Sequence, residues 1–198
     1  MIDENNNIKI DASLRFQSTL PVSSDGLLLQ LDKWGIEYEL SSHIPLMTVN
    51  QSKGVQNKFL SSAEGGGHIK NLYLRDHKKR NILLVLEQDH EIDLKKVKET
   101  LGTGRLSFGS AERLFENLGV RPGAVTPLSM ITGVNNGVTL FMDLNLKSCK
   151  KIFAHPLVND RTLGMPIKSL EQFFEKIKAH GSGPGPGPMG PIRAHGLG

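Results

Sequence analysis

The chain has 198 residues, 38% of them hydrophobic, and a formal charge of +4 from 24 Lys+Arg against 20 Asp+Glu. That length can bury one sizeable core, and the charge permits an anionic partner such as RNA without requiring one. A single cysteine, Cys149, excludes an intramolecular disulfide and a cysteine-built zinc site. Its lysine neighbours could lower a thiol pKa, but no base accompanies it, so it reads as an ordinary core or surface residue. No secretory signal is legible, and no apolar run approaches the roughly 18 residues of a membrane span, so the expectation is a soluble, cytoplasmic protein without a membrane partner.

Taken in order, residues 1–22 are polar and asparagine-rich, a flexible extension that ends in a docked segment around Ile8 to Leu20. Residues 23–180 carry the periodic patterns of the folded domain. Ser24 can cap a helix with Leu27, Leu28, Leu31 and Trp34 on one face and Gly35 as its stop. Ile36 to Leu40 alternates like a strand. After Pro45, a capped helix starting near Thr48 or Asn50 carries Val49, Val55 and Phe59, with Gly54 and a Ser61 to Gly67 connection making it mobile. Ile69 to Arg75 reads as a strand and the apolar Asn81 to Glu87 as a central one. His77-Lys78-Lys79-Arg80 between them is a basic hairpin turn, either a solvated tip or a contact for RNA phosphates.

Asp93 caps a helix through Val97 and Leu101, Arg105 to Phe108 is a short strand, and Ser110 caps the helix Ala111 to Leu118, ended by Gly119. A Pro122 to Pro127 loop follows. Leu128 to Ile131 reads as a strand joined through Asn135-Asn136-Gly137 to Val138 to Asp143, a hairpin by its Asn-Gly turn. A short helix around Leu144 to Cys149, strands at Ile152 to Ala154 and Thr162 to Met165, and a helix from Ser169 to Lys178 complete the domain. Residues 181–198 turn abruptly to a Gly/Pro alternation that cannot bury a core, and read as a disordered or extended tail. The irregular alternation of strands and helices predicts an α/β (α+β) domain around a mixed sheet.

The common catalytic signatures are absent: no phosphate-binding loop, nucleophile elbow, zinc-protease motif or dinucleotide fingerprint. Gly66-Gly67-His68-Ile69-Lys70 is glycine-rich but leads into a strand, so no helix N-terminus is available there for phosphate. Lys70, next to Asn71 at the mouth of that strand, is either a solvated rim cation or a functional one. His155, held extended by Pro156, is either a structural hydrogen-bonder or a cleft residue. Gly123 to Pro127 is either a tight turn or a loop offering bare backbone groups to a small polar group or oxyanion.

Three segments, Gly67-x-x-Lys70-Asn71-Leu72-Tyr73-Leu74-Arg75-Asp76, Gly119-Val120-Arg121-Pro122-Gly123-Ala124-Val125-Thr126-Pro127 and His155-Pro156-Leu157-Val158-Asn159-Asp160-Arg161-Thr162, resemble in order and spacing the YbaK-type prolyl-tRNA-editing family. The stand-alone ProX-like branch is the most similar, across about Ser24 to Ala179. The resemblance implies a mixed, curved β-sheet flanked by helices and a trans-editing deacylase that hydrolyses the ester of mischarged Ala-tRNA(Pro). It implies no cofactor and no metal. The implied partners are the acceptor end of tRNA(Pro) and, as a candidate, prolyl-tRNA synthetase. Lys70, Gly123, Thr126 and Pro127 carry the chemistry in this reading, while Asn71, Arg75, Ala124, Val125, His155 and Asn159 contact substrate. Lys70 holds the terminal phosphate or positions the ester, the Gly123 to Pro127 backbone binds the aminoacyl group, and His155 limits pocket size. The Thr48 to Phe59 helix matches the family's mobile helix over the acceptor end. Tyr73, Ala124 and Leu128 depart from the more usual phenylalanine, serine and phenylalanine. A Cys-tRNA(Pro) deacylase and a non-catalytic aminoacyl-tRNA sensor are the alternatives.

Overall fold

A computed structural model describes residues 10–46, 54, 58–180 and 190–192. The helix expected over Thr48 to Phe59 therefore lies largely outside the described residues. The architecture is a mixed eight-stranded sheet with helices against it, ordered β1-β7-β6-β2-β3-β5-β8, with β4 added to β2. The strands are β1 (Glu39–Ser42), β2 (Gly66–Asp76), β3 (Asn81–Glu87), β4 (Leu106–Phe108), β5 (Thr139–Asp143), β6 (Lys151–Ala154), β7 (Arg161–Pro166) and β8 (Gly190–Ile192). The helices are α1 (Ser24–Lys33), α2 (Leu94–Thr100), α3 (Ala111–Leu118), α4 (Met130–Gly133) and α5 (Ile167–His180), with short 3-10 turns between some elements.

Two sides of the sheet bury separate apolar clusters, and strand alternation assigns each residue to one of them. In β2, Tyr73 joins Leu83, Val85 and the inward residues of α1, α3 and α5. Leu72 and Leu74 join Ile82, Leu84, Leu86, Val97 of α2 and Leu106 of β4 on the other side. Every apolar residue from Ile82 to Leu86 is buried, because β3 sits between β2 and β5 with cover on both sides.

Local chemistry sets the boundaries. Ser23, one residue before the expected cap, accepts the Gly26 N–H, and Asp93 and Ser110 cap α2 and α3. The Ile36 N–H bonds to Leu31 O and the Gly35 N–H to Asp32 O, a Schellman closure that uses Ile36 in the helix stop and delays β1 to Glu39. The docked segment ahead of α1 is a 3-10 helix, Leu14–Thr19, fastened by the Leu14 N–H to both Asp160 carboxylate oxygens.

One expected hairpin is absent. Leu128 to Ile131 is helical, because Thr126 accepts the Leu128 N–H, Pro127 occupies the first turn and α4 follows directly. Gly137, at φ 67, belongs to the exit from that helix, with the Val138 N–H on Gly133 O, and β5 then pairs in parallel with β3. Asn-Gly signals only a positive φ, which a helix exit uses as readily as a hairpin does. At the far end, Gly190–Ile192 of the Gly/Pro tail adds to β5 in parallel.

Candidate active site

β2 and β6 run parallel and pair from Gly66↔Lys151 to His68↔Phe153. Beyond that last pair the register ends, and two residues further along each strand stand Lys70 and His155. On its other edge β2 continues unbroken along β3, from Ile69↔Glu87 to Arg75↔Asn81. β2 and β6 therefore part here, at what we take as the crevice of the candidate site, and the glycines before it sit where a side chain would clash, Gly66 with the Leu60 backbone and Gly67 with Ile152 of β6. A Cβ on Gly66 would lie 1.9 Å from Leu60 O, and one on Gly67 would lie 2.4 Å from the Ile152 side chain.

Alternation places Lys70 and Asn71 on opposite sides of β2. Lys70 shares the side of Leu72 and Leu74, and its ammonium donates to the carbonyl of His90 in the β3–α2 loop. Burial lowers its pKa, against the opposing attraction of Glu87, Asp89 and Glu91. Asn71 faces the other way, and its Nδ2 donates to Val125 O at 2.9 Å, tying the strand to the glycine-proline loop. Its Oδ1 is enclosed and has no partner among the described residues.

The loop is held from within. Gly123 adopts φ 94, a conformation that strains any residue with a side chain. The Ala124 N–H bonds to Arg121 O, the Leu128 N–H to Thr126 Oγ1, and the Ser129 N–H and hydroxyl both to Thr126 O. Ala124, Thr126 and Pro127 are fully buried, so Thr126 acts on the loop's shape and its hydroxyl is occupied as a cap.

His155 donates Nδ1–H to Arg161 O at 2.7 Å, which leaves Nε2 with its lone pair. Burial lowers its pKa despite that bond, so the ring is neutral at pH 7. Its ring centroid lies 6.0 Å from that of His43, whose Nδ1 meets Ile44 O and whose Nε2 meets Thr162 Oγ1. The turn that carries His155 includes Leu157 at φ 67, buried and left-handed without glycine, a local strain that the packing around it maintains.

Of the expected site residues, Arg75 lies elsewhere, while Asn159 lies in the turn that carries His155. Arg75 is at the opposite end of β2, with Nε 3.4 Å from Lys79 O in the hairpin turn. Asn159 is buried, and its backbone clips Ala12 and Leu46 to the domain. Conversely, sequence reasoning passed over His43, Leu157 and the carbonyl of His90. Only His43, two residues before Pro45, carries a side-chain type that could have drawn attention. No group of His, Cys, Asp and Glu among the described residues is placed to hold a metal ion. No helix among them is long and apolar enough to cross a membrane.

Residues 55–173 match the aminoacyl-tRNA editing domain. The chain belongs to that family. Over 161 residues it is 30% identical to the prolyl-tRNA editing protein ProX of Acetoanaerobium sticklandii, covering 81% of this chain and 93% of the relative. It is 35% identical over 124 residues to prolyl-tRNA synthetase associated domain-containing protein 1 of Mus musculus, covering 60% and 71%. Among solved structures, a candidate trans-editing enzyme for prolyl-tRNA synthetase superposes with a TM-score of 0.60 at 17% identity, covering 86% of this chain and 96% of that one. The editing-domain fold is thus shared with proteins of low sequence identity.

Proposed function

We propose that this editing-domain protein hydrolyses, in trans, the ester of mischarged aminoacyl-tRNA(Pro), with alanine as the acyl group. The observation that supports the reading is the bond from Asn71 to Val125 O, which ties β2, beside Lys70 in the chain, to the glycine-proline loop. An aminoacyl ester is already activated, so the site needs position and charge stabilisation more than a strong base.

In this mechanism Lys70 holds the phosphate next to the terminal ribose. The enclosed Oδ1 of Asn71 accepts a hydrogen bond from the substrate, from its α-ammonium or a ribose hydroxyl. Water attacks the ester carbonyl, oriented by the neighbouring 2′-hydroxyl, and the oxyanion forms against loop amides. Ala124, Leu128 and Ser129 N–H are committed within the loop and Thr126 is buried, so Gly123 and Val125 N–H are the donors we assign. The tetrahedral intermediate collapses with release of the ribose 3′-oxygen, which takes a proton, and free alanine. Neutral His155 borders the acyl pocket and sets its size.

Incubation with Ala-, Cys- and Pro-charged tRNA(Pro), followed by loss of ester, tests the reading. Hydrolysis of the Ala ester ahead of the others supports it. Preference for Cys assigns a Cys-tRNA(Pro) deacylase instead, and no turnover of any substrate removes the enzyme reading. His155→Ala should admit bulkier acyl groups, and an unchanged substrate range would refute the pocket-wall role. Prolyl-tRNA synthetase is the protein partner this reading implies, and co-elution of the two on gel filtration checks it.

A further inference from the structure

Past Lys70, this side of β2 runs beneath α2 and comes out at an edge that the ester chemistry does not use. Lys70, Leu72 and Leu74 share that side, and Leu74 pairs with Phe108 of β4, whose ring is 64% exposed. One step further, β2 ends in the hairpin His77-Lys78-Lys79-Arg80, every residue of it exposed.

This turn is built, not loose. Inside it the fully buried Asp76 carboxylate accepts the Arg80 N–H at 2.9 Å and Arg80 Nε at 2.7 Å, while the Lys79 N–H closes onto Asp76 O with Lys79 at φ 65. Arg80 is thereby spent on the turn, and the outward cations are Lys78 and Lys79. Lys95 is exposed on α2, which covers this side of the sheet, and Arg105 is exposed at the entry to β4. The opposing carboxylates near β2, Glu87, Asp89 and Glu91, act on Lys70 at the other end of the strand. Glu99 is the acidic residue that α2 itself exposes.

An exposed ring beside a rigid basic turn is the arrangement used for nucleic acid: stacking tolerates any base, and the cations follow the backbone. We propose that Phe108 stacks on an unpaired nucleotide near the 3′ end of the RNA, and that Lys78 and Lys79 take phosphates of its acceptor stem. The proposal rests on the deacylase reading for the direction of the strand. At about 3.3 Å per residue, Leu74 lies roughly 13 Å and Asp76 roughly 20 Å from Lys70 along β2, the scale of the last nucleotides of such an end.

The test is fluorescence anisotropy of an uncharged acceptor-stem microhelix of tRNA(Pro) ending in CCA, titrated with the full chain. Phe108→Ala should weaken binding about ten-fold, with Phe108→Trp restoring it. Lys78→Ala/Lys79→Ala should also weaken it and flatten the plot of log affinity against log salt by about 1.5. Thermal unfolding of each variant shows that it is folded. With Ala-tRNA(Pro), Phe108→Ala should raise KM while kcat stays within about two-fold. Wild-type affinity for the microhelix in folded Phe108→Ala overturns the proposal, as does a change of oligomeric state with RNA affinity intact, which would assign the ring to a second copy. If the wild type hydrolyses neither Ala-tRNA(Pro) nor alanyl-adenosine, the deacylase reading falls, and the anisotropy still decides the RNA surface.

Discussion

The crevice where β2 and β6 part and the groove between β5 and α5 are made of different materials. The groove encloses about 380 Å³, with Leu140, Met142, Ile167, Leu170 and Phe174 as its floor and Lys147, Glu171, Glu175 and Lys178 around it. Asp143 also lines it, and Lys147 and Glu171 stand 4.0 Å apart. Where β2 leaves β6, Asn71 bonds to the glycine-proline loop at Val125 O and keeps an enclosed amide oxygen with no partner among the described residues, while Lys70 with its lowered pKa faces the other side of the strand. Volume marks where side chains leave space, whereas chemistry needs polar groups whose partners are incomplete. By that criterion we assign the candidate site to the crevice and read the groove as a surface of the core.

Four measurements sharpen or break this contrast. Lys70→Ala should lower deacylation of Ala-tRNA(Pro) by about 10²- to 10³-fold, with the unfolding midpoint nearly unchanged, as expected for loss of one well-placed charge. A wild-type rate in that variant would move the site away from the crevice. In the groove the expectation is reversed. Phe174→Ala removes a ring from the main core and should cost about 3 kcal/mol of stability, or roughly 6–10 °C in the midpoint, while deacylation at 25 °C is retained. A large loss of rate in a folded Phe174→Ala would make the groove part of the function.

Asn71→Ala breaks the tie to Val125 O, and a rate loss of about ten-fold is expected, the size of one hydrogen bond that positions a loop. The smallest effect concerns pH. Burial holds the His155 pKa below its ordinary value, so the unfolded chain takes up this proton first as pH falls. The contribution of the neutral ring is therefore complete above about pH 6.5 and declines below it, by no more than about 1.4 kcal/mol per pH unit. Midpoints of wild type and His155→Gln measured from pH 7.5 to 5.5 should converge as the pH falls, and parallel curves would show that the ring is not held neutral.

Local signals carried much of the fold. β3, α3 and its Gly119 stop lie where apolar run, cap and glycine place them, because each is settled by residues only a few positions apart. Where two local readings compete, the sequence is ambiguous. Thr126-Pro127 starts a helix that overrides the apolar run Leu128 to Ile131, and the glycine of Asn136-Gly137 serves as a helix exit. The site was legible as residue types in order, through Lys70, the Gly123 to Pro127 loop and His155. Its composition in space was not. Arg75 shares a strand with Lys70, yet an eleven-residue strand carries it to the hairpin end.

By itself, then, the sequence determined most of the elements and the resemblance to an editing family, since these depend on caps, periodicity and motif order, although β2 starts at Gly66 and so holds Lys70 within the strand and not at its mouth. Only the tertiary structure decided that Lys70 and Asn71 face opposite sides of the sheet, that Asn71 and not Lys70 holds the glycine-proline loop, and that β6 leaves β2 after His68↔Phe153, shortly before His155. The reason is that strand register and the parting of β2 from β6 are set by pairing between segments about 85 residues apart, as Gly67↔Ile152 illustrates, and no local pattern encodes that distance.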